Sequence, residues 1–149
     1  MHNLHPIAER INTGTENPET SRALVVFNLI SQPQSGIAVF RASMSWPRDV
    51  PLPPVVVTDG DGLAAPSALR EMTQGADAKG CADRVQLGFA IYFAADAVPA
   101  NGWRTYIASY TNAPLIELEN ALPNTDLVVV ETTRHGGDLP MTGTLEPGV

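Results

Sequence analysis

Five large apolar residues, Val85, Leu87, Phe89, Ile91 and Phe93, fall on alternate positions of one stretch. Gln86, Gly88, Ala90 and Tyr92 fill the positions between them. A period of two puts the first set on one side of an extended chain, the pattern of a half-buried β-strand. No helix can bury this set on one face, so the stretch commits its part of the chain to a sheet. Ala94 to Gly102 then reads as a corner centred on Val98-Pro99-Ala100-Asn101-Gly102. Trp103, Thr105 and Ile107 resume the alternation against Arg104, Tyr106 and Ala108.

The same reading extends through most of the chain. Ala23 to Ile30 is almost continuously apolar, which suggests a strand buried on both faces or central in its sheet. Ser31 to Gly36 is a turn, and Ile37 to Ser45 alternates again. Trp46 to Pro54 is Pro-rich and reads as a connection. Val55 to Thr58 is a short strand, and Asp59-Gly60-Asp61-Gly62 a hairpin turn. Ala64 to Met72 reads as a returning strand with Pro66 at its edge, an Ala-rich helix being the competing assignment. Thr73 to Asp83 is expected as an exposed loop. Leu115–Glu119, Leu127–Thr132 and Met141–Leu145 add three short strands. Turn signals at this spacing, with 13 Pro and 12 Gly in 149 residues, indicate an all-β fold. The expectation is an antiparallel β-sandwich over residues 22–149.

Residues 1–21 are expected to form a leader. Leu4, Ile7, Ala8 and Ile11 recur at helical spacing, with Pro6 suited to an early turn, so a helix of about two turns is predicted. A helix that short is marginal alone. It reads as the tail of something larger or a stub that docks. Residues 12–21 are polar and read as a linker.

A net charge of −7 without a basic run argues against nucleic acid as a partner. No apolar run is long enough to span a bilayer, and the first twenty residues lack a signal-peptide pattern. No membrane partner is expected, and the cytoplasm is the favoured location. Cys81 is the one cysteine, so no internal disulfide can form.

Candidate chemistry is sparse. His2 and His5 lie in the leader, and His135 sits beside two glycines, where a metal would need Glu131 or Asp138 as further ligands. A solvated loop is the ordinary reading. Asp59 and Asp61 suggest a piece of a calcium loop, but hairpin chemistry accounts for both. Lys79 near Cys81 could activate the thiol, though no histidine is close in sequence. Glu117, Glu119, Asp126 and Glu131 lie on or beside expected strands, where solvated sheet faces carry such residues. Trp46, Trp103, Tyr92, Tyr106 and Tyr110 either line a sugar-binding face or pack the core. From the residues alone, no catalytic residue and no metal ligand is assigned.

Four segments resemble the β-sandwich region of family 38 glycoside hydrolases, the α-mannosidases, over about residues 22–120. Leu24–Gly36, LVVFNLISQPQSG, is similar to its opening, an apolar strand followed by Phe-Asn-Pro-Leu and polar residues with an Arg. Val55–Ser67 resembles its strand, Asp-Gly turn and Pro-Ser. Phe93, Val98-Pro99-Ala100, Gly102 and Trp103-Arg104-Thr105-Tyr106 resemble its strand, Val-Pro-Ala, Gly and aromatic-Arg-x-Tyr pattern. Leu118-Glu119-Asn120 is similar to the opening of its next segment. The resemblance implies a noncatalytic sandwich within carbohydrate metabolism that packs against a catalytic region and shapes its sugar cleft. That catalytic region would hold the family's divalent metal, usually zinc, and its Asp nucleophile, and this chain alone would be inactive. The alternative is an independent carbohydrate-binding or protein-interaction module. Two departures stand out: Leu29 replaces the usual Pro, and Gln34 stands near the expected Arg. In some family members a residue of this loop reaches the catalytic site, which makes Gln34 the candidate substrate-binding residue. Gln34 cannot make an Arg-type bidentate contact.

Overall fold

The computed structural model describes residues 4–13, 21–77, 79–111, 118, 122–132 and 137–145. In chain order the elements are α1 (His5–Ala8), β1 (Ser21–Asn28), β2 (Gln34–Pro47), β3 (Val55–Asp59), β4 (Ala64–Ala65), β5 (Ser67–Ala76), β6 (Arg84–Val98), β7 (Gly102–Tyr110), β8 (Leu127–Thr132) and β9 (Thr142–Thr144). Among the described residues the fold is all-β apart from one short helix.

The strands form two sheets, and every strand pairing is antiparallel. One sheet has the order β4-β3-β7-β1-β8, with β9 also on β7. The other has the order β2-β6-β5. Alternation on β6 is as the sequence predicts: Val85, Leu87, Phe89, Ile91 and Phe93 are all buried. Phe89, Ile91 and Phe93 meet Leu24 and Val26 of β1, Phe40 of β2, Val57 of β3, Tyr106 of β7 and Leu127 of β8 in the core between the sheets. The arrangement is a sandwich.

β1 is both central and buried on its two faces. Val25 and Phe27 point away from the main core into a second one, with Trp103 of β7 and with Leu4, Ala8 and Ile11. The N-terminal residues therefore dock on the outer face of the larger sheet. Helix α1 is one turn, shorter than predicted, because the chain turns extended at Ile11 to pair with Leu139. The Asn12 amide donates to the Leu139 carbonyl at 2.8 Å, and the Leu139 amide donates to the Arg10 carbonyl at 2.8 Å.

Several boundaries differ from the sequence reading. The corner expected at 94–102 is tighter: β6 continues to Val98, and only residues 99–101 turn, with Asn101 at φ 47°. This turn carries the chain from the smaller sheet to the larger one. Trp46 and Pro47, expected in a connection, end β2 opposite Val85 and Arg84, where an edge strand tolerates Pro. Pro66 does not edge one strand but separates two: β4 belongs to the larger sheet and β5 to the smaller. The loop expected from Thr73 begins at Asp77, because Thr73–Ala76 pairs with the long strand β6. The strand expected at Leu115–Glu119 lies outside the described residues except for Leu118, whose amide donates to the Ser67 carbonyl at 3.3 Å.

Candidate functional site

Gln34 opens β2 at one end of the sandwich, and the residues that carry the resemblance converge there. Asn28 ends β1 with its side chain fully buried. Its Nδ2 donates to the carbonyls of Gln32 at 2.7 Å, Val98 at 3.3 Å and Pro99 at 3.2 Å. Its Oδ1 accepts from the Ile30 amide at 3.1 Å. The Asn101 amide donates to the Ile30 carbonyl at 2.9 Å. One amide thus locks the turn before β2 onto the turn before β7.

A second tier braces the same end. Ser35 Oγ donates to Asp96 Oδ1 at 2.9 Å and accepts from the Ala97 amide at 2.9 Å. The Asp96 amide donates to Tyr106 Oη at 3.1 Å. Arg104 donates through Nη1 to the Asp96 carbonyl and through Nη2 to Asp59 Oδ2 at 3.4 Å. Asp59 Oδ1 accepts from the amides of Asp61 at 2.9 Å and Leu63 at 3.0 Å, which fixes the hairpin turn. The DGDG segment is thus occupied by turn chemistry. Burial pushes the Tyr106 phenol above its ordinary pKa, so it stays protonated here.

Gln34 is half-buried and faces Asn124, whose Nδ2 donates to Gln34 Oε1 and to the Ser35 carbonyl, each at 3.2 Å. The Asn124 amide donates to the Ile37 carbonyl at 2.8 Å. The Gln34 side-chain oxygen is therefore held, and its Nε2 donors have no partner among the described residues. Three exposed leucines flank this end: Leu29 before β2, Leu63 after β3 and Leu122 before β8. β3 runs parallel to β1, and β8 antiparallel to it, so these turns all leave the same end of the larger sheet.

The remaining sequence candidates disperse. Trp103 and Tyr106 are core residues. Trp46 and Tyr110 meet at the far end, their ring centroids 5.9 Å apart. Tyr92 lies on the outer face of the smaller sheet, where its hydroxyl donates to Glu71 at 2.7 Å. Sequence reasoning missed Glu71, since only the β-bulge between Arg70 and Thr73, with Glu71 at φ 56°, brings it beside Tyr92 and Arg41. The Tyr92 and Arg41 bonds hold its carboxyl below the usual range.

Glu131 pairs with Arg22 at 3.0 Å and Asp138 with Arg10 at 2.9 Å. His2, His135, Glu117 and Glu119 lie outside the described residues, as does the His5 side chain. Cys81 is exposed. Among the described residues no three His, Cys, Asp or Glu side chains converge on a point. They do not fit a zinc centre.

The fold has counterparts among solved structures. A protein of glycosyl hydrolase family 38 from Enterococcus faecalis matches with a TM-score of 0.54 and 13% identity, over 77% of this chain and 15% of that one. An α-mannosidase from Enterococcus faecalis V583 matches with a TM-score of 0.50 and 14% identity, again over 77% and 15%. At such identities the likeness is one of fold. The chain spans about 15% of the length of these structures. No protein-family model and no curated protein matches it.

Proposed function

We propose that this chain acts as a noncatalytic β-sandwich domain of an α-mannosidase-like glycoside hydrolase. Its Gln34 end packs against a catalytic region and shapes the sugar cleft. The observation that carries this reading is the convergence of Asn28, Asp59, Pro99, Arg104 and Tyr106 on the turns around Gln34. These residues, quoted for the resemblance from three separate segments, act together to rigidify the loop that presents Gln34. The fold likeness to family 38 structures points the same way.

The site's chemistry suits a supporting role. A carboxamide supplies neutral donors that can meet a sugar hydroxyl. A flexible loop would lose entropy each time it closed on substrate, and a braced one does not. Leu29, Leu63 and Leu122 supply apolar contact for a neighbouring region of the same polypeptide. The family's divalent metal, usually zinc, would sit in that region.

The test is the size and company of the native polypeptide. An antibody against this chain should detect a band several times larger than 15.9 kDa that copurifies with α-mannosidase activity. A 15.9 kDa native polypeptide that fractionates away from all such activity would overturn the proposal.

A further inference from the structure

At the end of the sandwich opposite Gln34, the two sheets part around a cavity of about 530 Å³. Such a volume lies within the range of about 300–1,000 Å³ common to small-molecule sites. Phe89, Ile91 and Ala108 reach it from the core. Trp46 stands on the smaller sheet and Tyr110 on the larger, their rings inclined at 55°. Ser21 and Asn28 mark the two ends of β1, so roughly 23 Å separates this cavity from the Asn28 network at about 3.3 Å per residue. It is a different place from the Gln34 loop.

The polar lining is paired. Arg22 and Glu131 form a bridge at 3.0 Å, with both side chains about one-third exposed (37% and 33%). Arg84 Nε donates to Ser45 Oγ at 2.7 Å, and Ser45 Oγ donates on to Asp77 at 2.7 Å. Arg22 is thus matched directly by Glu131, and Arg84 through Ser45 by Asp77 just outside the lining, so the cavity offers little net charge to an anion or a cation. What it offers is two aromatic faces, an apolar floor and paired donor and acceptor groups. Trp46 is held in place by its Nε1, which donates to the Val50 carbonyl at 2.8 Å. Tyr110 Oη donates to Met44 Sδ at 3.8 Å.

We propose that this cavity binds a neutral pyranoside, with the sugar's apolar face against Trp46 or Tyr110 and its hydroxyls on Arg22, Glu131 and Ser45. A pyranose is the ring that needs both halves of this lining. Its axial C–H groups pack on an aromatic face. Its vicinal hydroxyls donate to a carboxylate and accept from a guanidinium. The proposal goes beyond the parent-enzyme reading and is independent of it, since the cavity is built wholly from this chain.

Titration of the isolated chain with methyl α-mannoside, methyl α-glucoside and cellobiose tests it, followed by the indole N–H signals in a nitrogen-correlated NMR spectrum. Trp103, 3% exposed, is an internal control. At least one glycoside should shift the Trp46 signal saturably in the millimolar range and leave Trp103 still. Trp46→Ala and Tyr110→Ala should each weaken binding by about tenfold or more, the cost of losing one ring contact. Trp46→Phe should retain part of it, and Glu131→Gln should weaken it with the amide spectrum otherwise unchanged. Absence of any saturable shift overturns the proposal. So does binding that survives Trp46→Ala, or a stronger response to benzoate or inorganic phosphate than to every glycoside. The polypeptide-size experiment gives its answer separately, so the two ideas can fail independently.

Discussion

The side-chain amide of Asn28 and the backbone carbonyl of Val98 lie 3.3 Å apart although 70 residues separate them in the chain. Asn28 ends a strand of the larger sheet, and Val98 ends a strand of the smaller one. Their bond ties the two sheets at the end that presents Gln34. Around it the Gln32 and Pro99 carbonyls use the same nitrogen.

Asn28→Ala should therefore cost more than a single surface hydrogen bond. Stranded buried groups cost about 1–3 kcal/mol each, so a loss of at least that size is expected in urea unfolding. Asn28→Asp should be worse near neutral pH. One carboxylate oxygen would keep the Ile30 amide, but the other would face three carbonyls with no donor, so its folded pKa must rise. A raised carboxyl pKa means that stability falls as pH climbs from the unfolded value of about 3.9 through the folded one. The Asp variant should thus recover toward acid, and a variant with no pH dependence of this sign would refute the account.

Ile11 has no solvent exposure and caps the second core against Phe27 and Trp103. Ile11→Ala should destabilise by about 2–5 kcal/mol, as for other buried aliphatic truncations. The loss should appear in the same unfolding transition as the sandwich. A separate early transition would show that the N-terminal residues dock without cooperating.

A Cβ on Gly102 would overlap the Gly143 carbonyl oxygen and stand 3.0 Å from Pro99 Cβ. Gly102→Ala should push β9 off β7, at about 1–3 kcal/mol. Hydrogen exchange at residues 142–144 should accelerate, while exchange in β1 should change little.

Acid titration should reveal Glu71. Its pKa is lowered first by the Tyr92 hydroxyl and then by Arg41. The stability from these bonds is present above the unfolded carboxyl value and lost as pH falls through the depressed one. Asp77, lowered chiefly by its bond from Ser45, adds to the same limb. Glu71→Gln and Asp77→Asn should each flatten the acid side of a stability–pH profile. Glu71 also raises the Tyr92 pKa. That part of the stability should fade as pH climbs past about 10 through the raised value, and Glu71→Gln should remove this limb too.

On the proposed reading, Gln34→Ala in the full-length polypeptide should lower kcat/KM for α-mannosides by about tenfold, the worth of one hydrogen bond to substrate. The isolated domain should lose only about 1 kcal/mol, from the half-buried bond to Asn124. Unchanged kinetics in that polypeptide would remove Gln34 from the proposed cleft.

The strands were legible wherever one face met the core. Val85–Phe93 alternates because its partners on the other sheet exclude water from every second residue. Ala23–Phe27 is continuously apolar because a second core covers its back. Pairing partners were not legible: nothing local in Pro66 tells that the strands beside it enter different sheets. Nor does the stretch Thr73–Ala76 announce a strand, since its order comes from β6. The site was harder still. Asn28 reads as an ordinary polar residue until the turn at 99–101 closes on it. Trp46 and Tyr110 are 64 positions apart, and only the facing of the two sheets makes them neighbours.

The larger sheet has a consequence for the newborn chain. β1 lies between β7 and β8, so both its partners come from residue 102 onward. During synthesis from the N-terminus, Leu24-Val25-Val26-Phe27 must wait with both edges bare until residues 102–132 have left the ribosome. A sticky strand that waits is a hazard for pairing with other copies. Ribosomes stalled before residue 102 should present this strand to chaperones, and those stalled well past residue 132 should not.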